Sequence, residues 1–192
     1  MSTQTIVLFH HVAGRTPGME ALAERWRAAG HVVHAPDLFG SRTFGSVEEG
    51  FGFVQSIGGF DEVRARALAA VEELPEQVVY AGVSMGVVAA MHVAARRPGA
   101  VAGVFLESFV DPEHVGPWPV GAPVQVHGME DDEFFGLEDL EPARAFAATR
   151  DDVEVFTYPG DQHLFVDSSL SAWDAAAAAQ VDERVLALLA GL

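Results

Sequence analysis

A serine hydroxyl becomes a useful nucleophile only when the fold holds it accessible and sets a base beside it. One serine in this chain stands in a sequence that could do both: Gly82-Val83-Ser84-Met85-Gly86 has the pattern G-x-S-x-G. Five residues with three fixed recur by chance, so the flanks decide. Val78-Val79-Tyr80-Ala81 before it reads as a buried strand, and Val87-Val88-Ala89-Ala90-Met91 after it as an apolar helix. A serine on a sharp strand-to-helix turn needs small neighbours, which Gly82 and Gly86 supply. Free N–H groups at a helix N-terminus favour negative charge on a bound carbonyl oxygen, so the Met85 N–H is an expected oxyanion donor.

Such a serine requires a histidine, and that histidine requires a carboxylate to fix its tautomer. Of the eight histidines, His163 is best placed, because Tyr158-Pro159-Gly160-Asp161-Gln162-His163 follows the last apolar run directly. His31 and His34 flank a strand in the N-terminal half and His92 lies inside a helical pattern, where surface or core roles suit them better. The carboxylate is expected in the loop after the penultimate strand, where Glu130, Asp131, Asp132 and Glu133 compete for one role. An acidic run is mostly solvated, so most of these four should face water while one serves His163. The order Ser84, acid, His163 is that of α/β-hydrolases. The turn His10-His11-Val12-Ala13-Gly14 after the first strand offers a second oxyanion N–H. Adjacent histidines on a strand point to opposite faces and do not easily share an ion, so neither a metal nor a cofactor is expected.

These residues lie far apart in the chain and need a scaffold that gathers loops. Short Val-rich runs at 5–10, 32–35, 77–83, 101–106, 124–127 and 153–158 read as six buried strands. Helical patterns at 17–29, 60–74, 85–96, 141–149 and 172–189 alternate with them. The alternation implies an α/β fold, a mainly parallel sheet with helices on both faces, whose sites gather beyond the carboxyl ends of the strands. Gly30 and Pro98-Gly99 should end helices, and Ser171 should cap the last one. The glycine-rich stretch 40–59 reads as a mobile loop with a short helix, and 107–121 is too short for a large cap domain.

With 192 residues, 49% of them hydrophobic, the chain is expected to form one domain over 1–192. Its formal charge of −17 argues against nucleic acid and against anionic membrane surfaces as partners. Cysteine is absent, which excludes disulfides and thiolate sites. Met1-Ser2-Thr3-Gln4-Thr5 has no basic segment and no apolar run is long enough to span a bilayer, so a cytoplasmic protein is expected.

Over nearly its whole length the chain resembles the dienelactone hydrolase family of α/β-hydrolases. Ile6 to Gly18 looks like the family's opening strand and oxyanion loop, Ala35-Pro36-Asp37-Leu38-Phe39-Gly40 is similar to A-P-D-L-x-G, and Tyr158-Pro159-Gly160 with His163-Leu164-Phe165 resembles Y-x-G…H-x-F. The resemblance implies a single-domain hydrolase with Ser84, His163 and an aspartate as triad and the Val12 and Met85 N–H groups as oxyanion hole. The family pattern sets the aspartate two residues before an apolar residue, which fits Asp132 before Phe134; Asp131 fits a looser spacing from Gly128. Members acting on dienelactone carry cysteine where Ser84 stands and glutamate where His11 stands, and their substrate-carboxylate arginines have no match between Arg42 and Glu62.

The implied substrate is therefore a small ester, lactone or thioester other than dienelactone, in an open, shallow pocket. Phe39, Phe44, Phe51, Phe53, Trp118, Phe134 and Phe135 are candidates to line it, and His11 is either a pocket or a core residue. Two other readings share these residues. One is a binding module on the same fold without turnover, and the other is acyl transfer from the serine to peroxide or another acceptor.

Overall fold

The six apolar runs form six strands in a computed structural model that describes residues 2–192: β1 Thr5–Phe9, β2 Val32–His34, β3 Val78–Val83, β4 Ala100–Leu106, β5 Val124–Met129 and β6 Val153–Tyr158. They make one wholly parallel sheet in the order β2-β1-β3-β4-β5-β6. The chain moves outward from β1 to β2 and then returns to β3 on the other side of β1. That reversal opens a crevice at the carboxyl ends of β1 and β3, the place where such sheets bind ligands.

Helices α1 Pro17–Ala28, α2 Val47–Ser56, α3 Gly59–Ala70, α4 Met85–Ala94, α5 Pro112–Val115, α6 Leu140–Ala147 and α7 Ala175–Gly191 cover both faces. Side chains alternate along each strand, so β1 sends Val7 and Phe9 into one core and Ile6 and Leu8 into the other. The first core is closed by α3, α4 and α6 through residues such as Val63, Val87 and Ala143. The second is closed by Met19, Leu22 and Trp26 of α1 and by Val181, Val185 and Leu189 of α7. Covering both faces is what allows β3 to be apolar at every position.

Two local expectations are made more definite or corrected, and one feature is new. The stretch 40–59 holds a ten-residue helix, α2, started by Ser46, whose Oγ accepts from the Glu49 N–H at 3.2 Å while Glu49 reaches back to the Gly45 N–H at 3.0 Å. This is a capping box, and its glycines hid it: Gly50 lies against the loop after β1, where a β-carbon would stand 2.7 Å from the Val12 carbonyl carbon. The last helix is capped by Asp174 and not by Ser171, since the Asp174 carboxylate accepts from both Ala176 and Ala177 N–H at 2.9 Å. A π-helical turn, Phe135–Asp139, precedes α6.

Candidate active site

Ser84 sits between β3 and α4 with φ 49 and ψ −116, a left-handed conformation that a non-glycine residue adopts only under constraint. The two glycines of the motif make this turn sterically feasible. A β-carbon on Gly82 would press 2.5 Å from the Val87 nitrogen, and one on Gly86 would lie 2.7 Å from the Phe9 carbonyl carbon and 2.9 Å from the His10 oxygen. The turn is held from below by the Ser84 N–H, which donates to the Leu106 carbonyl at 2.8 Å. Two other strained residues flank it, Glu107 with φ 62 after β4 and Leu164 with φ 67 beside His163.

The three residues from distant loops meet. Ser84 Oγ lies 2.8 Å from His163 Nε2, and His163 Nδ1 lies 2.7 Å from Asp132 Oδ2. Asp132 is wholly buried, whereas Glu130, Asp131 and Glu133 are exposed. The chain turns inward at Asp132 because its Oδ1 accepts from the Phe134 N–H at 2.9 Å, which bends the loop around the carboxylate. Burial lowers the His163 pKa, but the Asp132 hydrogen bond and the surrounding carboxyls outweigh it and hold the imidazole above its ordinary value. The Phe134 ring packs on the imidazole with centroids 4.6 Å apart and fixes its plane.

Among the described residues neither the Val12 N–H, in the loop after β1, nor the Met85 N–H, at the start of α4, has a hydrogen-bond partner within the protein. The adjacent histidines hold this loop separately, as their opposed directions require. His10 Nδ1 donates to the His11 carbonyl at 2.7 Å while its Nε2 accepts from the Leu38 N–H at 3.0 Å. His11 accepts from the Ala13 N–H at 3.2 Å and donates through Nε2 to Asp167 at 2.7 Å. His11 is thus a buried core residue and does not line the cleft. Asp167 also accepts from Thr16 and Ser169, tying the loop after β1 to the loop that carries His163. Nothing near Asp167 in sequence marks its tie to the first loop, because His11 and Thr16 are 156 and 151 positions away.

A cleft of about 180 Å³ opens over Ser84 and His163, with Phe51, Phe60, Phe134, Glu107 and Asp139 in its walls. Of the aromatic candidates only Phe51 and Phe134 line it. Phe39, Trp118 and Phe135 are buried in the core, and Phe44 and Phe53 pack against that core in an edge-on group with Phe39. Sequence reasoning missed Phe60, at the start of α3, and Glu107. Burial pushes the Glu107 carboxyl up to about 8, against the pull of His163 and of the Val166 N–H that its Oε1 accepts at 3.0 Å. No group of three or more metal-ligating side chains occurs among the described residues, and no helix there is long and apolar enough to cross a membrane.

A doubly wound parallel sheet with a strained serine between β3 and α4, and with the acid and histidine loops after β5 and β6, defines an α/β-hydrolase. Solved structures agree on the fold. A dienelactone hydrolase-like promiscuous phosphotriesterase from metagenomic libraries is 19% identical with a TM-score of 0.74, covering 100% of this chain and 88% of its own. A dienelactone hydrolase from Anabaena variabilis is 19% identical with a TM-score of 0.68, covering 97% and 85%. A Xanthomonas campestris protein of the α/β hydrolase superfamily is 20% identical with a TM-score of 0.64, covering 100% of both chains. No curated protein matches the chain by sequence. The model of the dienelactone hydrolase family matches residues 2–192, and the chain belongs to that family. It is accordingly a carboxylic-ester hydrolase.

Proposed function

We propose that the chain cleaves small carboxylic esters, lactones or thioesters through an acyl-enzyme on Ser84, with His163 as general base and acid and Asp132 as the carboxylate that orients it. The observation that carries this reading is the continuous relay from Ser84 Oγ through His163 to the buried Asp132, at 2.8 and 2.7 Å. Ser84 Oγ attacks the carbonyl carbon while its proton passes to His163 Nε2. The carbonyl oxygen gathers negative charge and is held by the Val12 and Met85 N–H groups. The tetrahedral adduct collapses as His163 returns the proton to the departing alkoxide or thiolate. Water then enters, gives a proton to His163, attacks the acyl carbon and releases the acid and free Ser84. Asp132 accepts the Nδ1–H throughout and stabilises the imidazolium.

The shallow cleft supports a small substrate over a long acyl chain. Its lining contains no arginine, which speaks against a carboxylate-bearing lactone. The test is hydrolysis of p-nitrophenyl acetate by the purified protein and by Ser84→Ala. The variant should retain no turnover above background; wild-type turnover in it would overturn the assignment.

A further inference from the structure

The cleft beside Ser84 is one-sided in charge. The π-helical turn brings Glu138 and Asp139 to its wall, Phe51, Phe60 and Phe134 supply ring surface, and His163 is its single basic side chain. Elsewhere an acid of the same segment, Glu141, pairs with Arg144 at 3.0 Å, but neither Glu138 nor Asp139 has a cationic partner among the described residues. Asp139 Oδ2 is steadied by the Ser108 hydroxyl at 2.7 Å and the Phe109 N–H at 2.9 Å. At the inner end Glu107 is fully buried, and its Oε2 has no hydrogen-bond partner among the described residues although the residue forms part of the cleft wall. A second hollow on the other side of His163, walled by Ala13, Ser46, Val47, Leu164 and Leu170, has no acid in its lining. Of the two hollows that adjoin His163, the acids line the one that holds Ser84.

We propose that this cleft selects esters carrying a positively charged amine, quaternary or protonated, seated against Glu138, Asp139 and the three phenyl rings. The proposal rests on the ester-hydrolase reading of Ser84 and names the substrate class of that site. Ring faces attract a cation through their quadrupole, and the attraction grows as the cation loses water. Carboxylates lining the same small cleft add to it and repel an anionic substrate. Burial raises the Glu107 pKa to about 8, so the charge of the cleft comes from Glu138 and Asp139.

The test uses p-nitrophenyl esters of equal acyl length ending in trimethylammonium, tert-butyl or carboxylate, together with acetylcholine and its tert-butyl isostere, which move the cation to the alcohol side. In at least one pair the cationic ester should exceed its neutral isostere in kcat/KM by about fivefold or more. The carboxylate ester should be slower than the neutral one by about tenfold. Glu138→Gln combined with Asp139→Asn should bring the cationic-to-neutral ratio toward one, a change that mere loss of stability would not produce. A ratio of one or below in both pairs, or faster hydrolysis of the carboxylate ester, overturns the proposal. If no ester is turned over, the hydrolase reading fails and charge selection is judged by binding. Calorimetry with choline against 3,3-dimethylbutanol then shows tighter choline binding or refutes it.

Discussion

Replacing Asp132 with asparagine changes one atom and leaves the size of the side chain nearly intact, so its effect isolates the tautomer of His163. Asp132 Oδ1 accepts from the Phe134 N–H at 2.9 Å and Oδ2 from His163 Nδ1 at 2.7 Å. Asparagine keeps its oxygen on the Phe134 N–H and therefore turns its NH2 toward His163. Nδ1 must then accept, the ring proton moves to Nε2, and Nε2 donates to Ser84 Oγ where it should take a proton. In serine hydrolases with this relay the same change costs about 10⁴ in kcat. At about 1.4 kcal/mol per tenfold this is roughly 5 kcal/mol of transition-state stabilisation. Asp132 does not line the cleft, so KM should move little. The assay is kcat and KM on p-nitrophenyl acetate across pH, with Asp131→Asn as control. In the wild-type enzyme Asp132 raises the imidazole pKa, so kcat/KM should fall with acid through a midpoint above the ordinary histidine value. Asp131 is exposed, and its replacement should leave the rate within about twofold. A loss below about tenfold in Asp132→Asn, or an equal loss in Asp131→Asn, would refute the reasoning.

Gly86→Ala should destabilise the fold by about 3 kcal/mol or prevent folding, because the new β-carbon meets the backbone of Phe9 and His10, which the sheet does not let move. Urea midpoints equal to wild type would show that the helix can shift away from β1. Stability should also fall with acid well above the carboxylate range. Burial pushes His10 down to about 4 and His127 to about 3, while the unfolded chain binds protons near the ordinary value of 6.5. The unfolded state then takes up protons first, so stability is full above 6.5 and is lost as pH falls toward 4, by up to about 3 kcal/mol for His10 alone. Asp167, lowered to about 2, adds a loss of the same sign below the usual aspartate range. Urea midpoints measured from pH 7 to 4.5 at constant salt check this, and a midpoint that stays level or rises would contradict it.

The sequence by itself determined the elements and their order. Six Val-rich runs became six strands, the inner ones buried on both faces, and the strand-turn-helix around Ser84 was readable because sterics demand glycine at 82 and 86. The short helix expected within 40–59 is α2, but its extent was not read, because Gly50 is required by close packing on Val12 and obscured the run that the Ser46 and Glu49 cap begins. Which acid meets His163 was a tertiary decision. Four consecutive acids differ little in sequence, and only the Asp132 turn onto the Phe134 N–H buries one of them. The His11–Asp167 tie, the inward Glu107 and the contribution of Phe60 to the cleft were likewise invisible, since each depends on residues brought together at the carboxyl ends of the strands rather than on neighbours along the chain. Periodicity reports which face of an element is covered; it carries no information about which distant loop will cover it.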